Sequence, residues 1–147
     1  MRALWTNDLV TIDRRWHKIT DAGINPRPVQ QPIPVWFGGS DDRVLRRVAR
    51  MGDGWIGNLS RPDDRASDIV DRIHGYAVEE GRNPDDIGIE TWVAARHGGP
   101  DDWAKAVDEW TRLGATHISI NTMGAGFTTV DEHISAIRLF AEAVRAG

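Results

Sequence analysis

The sequence predicts an α/β fold in which four β-strands alternate with four α-helices. Three observations point to it: runs of β-branched and aromatic residues alternate with segments of helical periodicity, glycines close most of the helical segments, and 147 residues suffice for one domain. Strands that alternate with helices in this way pair in parallel through right-handed crossovers. We expect one domain over 1–147, with the four βα units in 33–147.

Residues 1–32 are expected to form an irregular lead-in or a hairpin. The segment "LVTIDRRWHKI" (9–19) alternates as a short hairpin does, and "GINPRPVQQPIP" (23–34) holds four of the seven prolines. Proline fixes φ and lacks the N–H that a strand ladder needs. The second segment is therefore predicted to be extended and irregular.

The first βα unit contains a strand at 33–37 and a helix that Gly52 ends. Val44, Leu45 and Val48 recur at helical spacing and mark the buried face of that helix. Ser40 precedes two acidic residues, and serine is a favoured N-cap whose helix dipole acids complement. By local rules Ser40 is the N-cap, with Asp41 and Asp42 in the first turn.

The next two units follow the same pattern. "DGWIGN" predicts a short strand at 54–57, followed by a helix that begins near Asp63 and ends at Gly81. "IGIETWVAAR" (87–96) predicts the third strand, and a helix follows over 101–113. Trp103 and Trp110 stand at helical spacing in that helix, and we assign both to the core.

The fourth unit pairs the strand "THISINT" (116–122) with a helix over about 130–145. The spacing in that helix predicts buried side chains at Ile134, Ile137, Ala141 and Val144. Two architectures fit four such units: an open doubly wound sheet, or half of a (βα)8 barrel, which usually needs about 250 residues.

Composition excludes several classes of function. The chain has no cysteine, which rules out disulfides and thiolate chemistry, and its net charge of -4 comes with no basic stripe for nucleic acid. No stretch approaches the roughly 20 apolar residues that span a bilayer, and "MRALWTNDLV" lacks the pattern of a signal peptide. We expect a cytosolic protein with a small-molecule partner.

The turn Gly38-Gly39-Ser40 allows two interpretations. Glycines where a helix begins let unpaired backbone N–H groups approach an anion such as a phosphate. Alternatively the turn is only a cap, because two neighbouring carboxylates oppose an anion. Gly57 and Asn58 end the next strand and are expected on the same rim, where the Asn58 amide could donate to a phosphate oxygen.

Other chemistry has little support. The five histidines show no metal-ligand spacing, so no metal site is predicted, and no nucleophile elbow or P-loop is present. His97 follows the third strand, so in a barrel it would lie at the carboxyl ends of the strands. It is the one histidine that we consider a candidate for the functional site. No general acid or base can be assigned, and the catalytic residues stay unknown.

The string "GINPRPVQQPIPVWFGGSDDRVLRRVARMGDGWI" (23–56) resembles the luciferase-like monooxygenase superfamily, and in particular its flavin- and coenzyme F420-dependent oxidoreductases. So do "EEGRNPDDIGIE" (79–90) and "LGATHISI" (113–120). The resemblance covers nearly the whole chain. It implies the C-terminal half of a (βα)8 barrel, from its fifth strand to its eighth.

The resemblance also implies a function. It places Gly38, Gly39 and Ser40 at the phosphate of the cofactor, FMN or F420, with Gly57 and Asn58 beside them, and a small-molecule substrate in the same enzyme. The alternative from a different class is a non-catalytic half-barrel that self-associates as a homodimer or pairs with a complementary half-barrel. Exposed edge strands at 33–37 and 116–121 favour such pairing.

Overall fold

The computed structural model describes residues 1–146 and confirms the predicted fold class. The chain divides into two compact units, one of residues 1–35 and one that begins at Trp36. No helix in the described part of the chain has the length and apolar character needed to cross a membrane.

The first unit contains a helix and an antiparallel hairpin. Helix α1 (Arg2–Thr6) precedes strands β1 (Val10–Arg14) and β2 (His17–Ala22). The two strands pair antiparallel, with a register shift near the start of β1. The hairpin is as the alternation in the sequence predicted, whereas α1 was not predicted.

The second unit carries the four βα pairs. They are β3 (Trp36–Gly38) with α2 (Asp42–Met51), β4 (Gly54–Ile56) with α3 (Asp64–Glu79), β5 (Gly88–Ala94) with α4 (Pro100–Arg112), and β6 (His117–Asn121) with α5 (Val130–Ala146); a 3-10 turn (Pro84–Asp86) precedes β5. The strands pair in parallel in the order β3-β4-β5-β6. This order leaves β3 and β6 as the edges of the sheet.

The first strand of this sheet is shorter than the sequence suggested. It begins at Trp36 rather than at residue 33. Pro32 and Pro34 lack the N–H that would extend the ladder backwards, so the apolar run before Trp36 stays outside the sheet.

Helices α2 and α3 pack on the first half of the sheet. Leu45 and Val48 of α2 and Ile73 of α3 are fully buried, together with Trp55 of β4 and Ile89 of β5. The helical spacing in the sequence predicted the two positions in α2. The burial of these side chains holds α2 and α3 against the sheet, and both helices begin at its carboxyl edge.

A second apolar cluster lies under α4 and α5. Trp103 and Trp110 are 5% and 0% exposed, so their predicted core role is confirmed. Helix α5 differs from the prediction. It buries Ala136 and packs Phe140 against this cluster, whereas Ile134 and Ile137 are 39% and 49% exposed.

Two apolar stripes run along α5, which explains the difference. Ala136 and Phe140 stand four residues apart and form the stripe that meets the sheet. Ile134, Ile137 and Val144 form a neighbouring stripe that is left partly exposed. The sequence contains both stripes, and periodicity alone cannot say which of them faces the core.

The indole of Trp36 lies across two glycines of the neighbouring strands. A Cβ on Gly54 would come within 2.3 Å of its ring, and a Cβ on Gly88 within 2.4 Å. At the far strand the ring meets the edge of His117, with centroids 5.0 Å apart. A single side chain thus spans the start of all four strands.

Candidate functional site

The carboxyl ends of β3 and β4 bring the two predicted segments together. Gly38 pairs with Ile56 in the parallel register, so the residues that follow each strand leave the sheet side by side. Between them lies a cavity of about 210 Å³. We call it the Gly39 cavity. It is lined by Gly39, Ser40, Trp55, Asn58, Leu59 and Arg65.

Trp55 holds the turn that forms one wall of this cavity. Its indole Nε1 donates to the carbonyl oxygen of Gly39 at 2.8 Å. Gly39 has a φ of +111°, a conformation that residues with a side chain rarely adopt. The glycine and the buried tryptophan together fix the path of the backbone into α2.

The loop after β4 forms the opposite wall and is tied to β5. The amide of Gly57 donates to the carbonyl of Glu90 at 2.7 Å, and the hydroxyl of the buried Thr91 donates to the carbonyl of Leu59 at 3.0 Å. These two hydrogen bonds hold the residues on either side of Asn58, so they fix the backbone of the loop that carries its side chain.

The cap of α2 differs from the local expectation. Asp41, not Ser40, is the N-cap, and its carboxylate accepts from the amide of Arg43 at 3.0 Å. Asp and Ser are comparable caps, so the helix can begin one residue later without loss. Ser40 is left outside the helix, and no hydrogen bond to it occurs in the described residues.

The two acids beside the turn are both engaged elsewhere. Asp42 accepts hydrogen bonds from the Tyr76 hydroxyl and from Arg72 at 2.7 Å, and pairs with Arg46 at 3.1 Å. The hydrogen bond from Tyr76, followed by that from Arg72, lowers the pKa of Asp42 to about 2. The Arg43 side chain lowers the pKa of Asp41 in the same way.

Arg65 supplies the cavity with a cation that the sequence reading missed. It stands in the first turn of α3, after the N-cap Asp63, whose side chain accepts from the amide of Ala66 at 3.0 Å. Arg65 forms no ion pair within residues 1–146. A basic residue opposes the helix dipole in a first turn, and this local misfit was the signal that could have identified it.

The predicted residues therefore do not all meet in one place. Gly39, Ser40 and Asn58 line the cavity, whereas Gly38 and Gly57 do not. Gly38 belongs to β3. A Cβ on Gly57 would lie 2.7 Å from the ring of Trp55, and its amide is already bonded to β5, so it lets the loop pass the tryptophan.

His97 lies on the same rim but in another cavity, of about 420 Å³ between the starts of α3 and α4. Its Nε2 accepts from the Nε of Arg96 at 3.1 Å. Burial, with the charges of Arg96 and Arg61, lowers the pKa of His97 and favours the neutral ring. No step in proton transfer follows from this arrangement, and no catalytic acid or base emerges.

Comparison with known proteins decides the family. The family model described as luciferase-like monooxygenase matches residues 1–97. The chain belongs to the luciferase-like monooxygenase family. The matched segment contains the whole of the Gly39 cavity.

Individual relatives are longer than this luciferase-like chain. An uncharacterised protein of Mycobacterium tuberculosis is 28% identical over 151 residues, which cover 99% of this chain and 49% of the relative. An F420-dependent glucose-6-phosphate dehydrogenase of Intrasporangium calvum is 41% identical over 88 residues, 59% of this chain and 26% of that protein. The chain spans about half the length, or less, of these relatives.

Other matches in the family differ in the cofactor that their names state. An FMNH2-dependent dimethylsulfone monooxygenase of Pseudomonas putida is 26% identical over 96 residues, 65% of this chain and 26% of that protein. The structure of the coenzyme F420-dependent tetrahydromethanopterin reductase of Methanopyrus kandleri superposes with a TM-score of 0.81 at 15% identity, over 99% of this chain and 60% of that one. The superposition supports the (βα)8-type fold.

Proposed function

We propose that this chain binds the phosphate of a flavin or deazaflavin cofactor, FMN or F420, in the Gly39 cavity, as part of a luciferase-like oxidoreductase. The observation that carries the proposal is the chemistry of the lining: one unpaired guanidinium, one free hydroxyl and one side-chain amide around a small cavity. A phosphate accepts hydrogen bonds from all three groups.

The charges around the cavity support an anion. In the sequence, the negative charges of Asp41 and Asp42 opposed phosphate binding at this turn. In the structure, Arg43 pairs with Asp41, and Arg46 and Arg72 pair with Asp42, so both charges are neutralised. Arg65 then remains as the cation of the cavity. The start of α2, whose dipole favours an anion, faces the same turn.

Each residue has a defined task in this proposal. Ser40 donates its hydroxyl, Asn58 its amide and Arg65 its guanidinium to phosphate oxygens, while Gly39 allows the close approach of the backbone. When bound, the flavin or deazaflavin ring carries the redox change itself. The chain supplies attachment and orientation, and a small-molecule substrate would meet the ring elsewhere on the rim.

Paired ligands test the proposal without an activity assay. FMN and riboflavin differ only in the phosphate. F420 can be compared with its deazaflavin core, which lacks the whole phosphate-bearing tail. Titrated into the purified chain, FMN or F420 is expected to bind about tenfold or more tightly than its partner that lacks phosphate, because a charged hydrogen-bonding group contributes that much. Equal affinities within both pairs, or no binding of FMN and F420, would contradict the proposal.

Variants assign the difference to the cavity. Arg65→Gln should lower the affinity for the phosphorylated ligand about tenfold and leave its unphosphorylated partner unchanged. Arg47→Gln is the matched control, since Arg47 is also exposed, on α2, and lies outside the lining. A loss shared by both variants would mean that only the general charge of the surface matters.

A second candidate, assembly through the sheet, is favoured by the edges and by α5. Strands β3 and β6 have a partner on one side only, and Ile134 and Ile137 leave an apolar stripe exposed. We propose that the sheet pairs with four further βα units, from a second copy or a complementary half-barrel. Sedimentation velocity tests self-association, and a monodisperse monomer at tens of micromolar would exclude the homodimer.

A further inference from the structure

A second cavity lies away from the Gly39 cavity, at the carboxyl ends of β5 and β6. Its volume of about 600 Å³ falls within the range of small-molecule sites, roughly 300 to 1,000 Å³. Trp103, Phe127 and Leu139 line it with apolar surface, and we call it the Trp103 cavity. The proposed phosphate site does not use this space.

One cation faces the apolar walls. Arg96 lines the cavity and forms no ion pair with any carboxylate in residues 1–146. Its Nε donates to Nε2 of His97 at 3.1 Å, and its Nη1 would lie 3.6 Å from a Cβ on Gly124. A hydrogen bond through Nε thus positions the guanidinium, and no carboxylate in the described residues neutralises its charge.

Two carboxylates also belong to the lining, and they differ. Glu132 accepts from the amides of Thr128 and Thr129 at 2.7 and 2.8 Å, so it caps the start of α5. Those backbone hydrogen bonds lower the pKa of Glu132. Glu132 therefore stays anionic, but the amides at the start of α5 offset part of its charge. Asp131 is exposed and has no hydrogen-bond or ion-pair partner in the described residues, so its charge opposes a bound anion without such compensation.

Trp103 contributes an aromatic wall and no polar group. The residue is 5% exposed, and its indole N–H is fully buried without a hydrogen-bond acceptor among the described residues, so this donor does not open into the cavity. The cavity therefore combines an aromatic wall with an unpaired cation.

We propose that the Trp103 cavity is a binding site for a small apolar carboxylate. The hydrocarbon part of the ligand packs on Trp103, Phe127 and Leu139, and its carboxylate pairs with Arg96. A guanidinium binds a carboxylate through two parallel hydrogen bonds, which gives direction as well as affinity. The site is independent of the phosphate cavity and stands or falls separately from it.

Two probes of one shape test the site. 2-Naphthoate carries the charge, and 2-naphthamide has the same ring system without it. Titration calorimetry on the full chain is expected to show naphthoate binding about tenfold or more tightly than the amide. Equal binding of the two probes, or no binding of naphthoate at millimolar concentration, would overturn the proposal.

Variants with opposite signs locate the binding. Arg96→Gln should weaken naphthoate about tenfold and leave the amide unchanged, while Asp131→Asn should strengthen naphthoate by removing the opposing charge. Arg138→Gln, on the same helix as Asp131 but outside the lining, is the control and should change neither probe. The proposal is wrong if Asp131→Asn weakens naphthoate or if Arg96→Gln weakens both probes equally.

Discussion

The indole Nε1 of Trp55 donates a 2.8 Å hydrogen bond to the carbonyl oxygen of Gly39. The bond joins the core of the sheet to the turn that precedes α2, because Trp55 is 1% exposed within the apolar cluster under α2 and α3. Gly39 in turn lines the proposed phosphate cavity. The position of the turn is therefore coupled to the packing of the core.

Replacing Trp55 by Phe should loosen this turn. Trp55→Phe removes the hydrogen bond to the Gly39 carbonyl, which should cost about 0.5 to 1.5 kcal/mol of stability, and it should also weaken FMN or F420 binding. Trp110→Phe is the matched control, because Trp110 is as deeply buried but its N–H has no hydrogen-bond partner in the described part of the chain. Urea unfolding and ligand titration of both variants give the comparison; identical losses would show that only ring volume matters.

Replacing Gly39 by a residue with a side chain should destabilise the protein because of the backbone conformation at this position, and not because space is lacking. A Cβ there would meet Val44 at an ordinary 3.7 Å, but a φ of +111° strains any residue with a side chain. Gly39→Ala should lower the free energy of unfolding by about 1 to 3 kcal/mol. Gly75→Ala, in the open interior of α3, should raise it by about 0.5 to 1 kcal/mol. A neutral Gly39→Ala would mean that the turn relaxes freely.

Thr91 is expected to position the loop that carries Asn58. Thr91→Val keeps the shape of the side chain but leaves the Leu59 carbonyl without its donor, which should cost about 1 kcal/mol of stability and reduce phosphate-dependent affinity. Thr91→Ser keeps the hydroxyl and should retain the affinity, even though it loses a buried methyl. If Thr91→Ser loses affinity as Thr91→Val does, the hydroxyl is not the positioning group.

The order of the four βα units was predictable because it depends on local patterns. Alternating β-formers and helical periodicity gave all four βα units, and the strand ends gave the neighbourhood of Gly39 and Asn58. The cap at Asp41 was not predictable, since Ser and Asp cap equally well one residue apart. The position of the N-cap decides whether the Ser40 hydroxyl caps the helix or is free to bind a ligand.

The remaining differences arise from contacts between distant segments. Arg72 and Tyr76 of α3 contact Asp42 of α2. The sequence near the turn therefore shows the acidic residue but not the distant residues that neutralise it. Arg65 joins the cavity because α3 begins beside the turn, 25 residues further along the chain. Such pairings depend on tertiary packing, which periodicity does not specify.

The packing of the Trp36 ring on Gly54 predicts that the effects of mutating these two residues are strongly coupled. A Cβ on Gly54 would lie 2.3 Å from the Trp36 ring, so Gly54→Ala must displace the indole and should cost about 1 to 3 kcal/mol. In a Trp36→Leu background the same alanine should cost much less. A double-mutant cycle by urea unfolding measures the coupling. Additive losses would show that the ring does not occupy this space in solution.

Acid unfolding should report on Asp42. Its pKa of about 2 in the folded chain lies below the ordinary 3.8, so its stabilising contribution is complete above about pH 4 and is lost as the pH falls through about 2. Urea midpoints of the wild type and Asp42→Asn should therefore differ at pH 5 and converge towards pH 2. The Tyr76 and Arg72 contacts supply the difference, because the amide keeps the shape but not the charge. A gap that stays constant from pH 5 to pH 2 would show that the ionised carboxylate is not what joins α2 to α3.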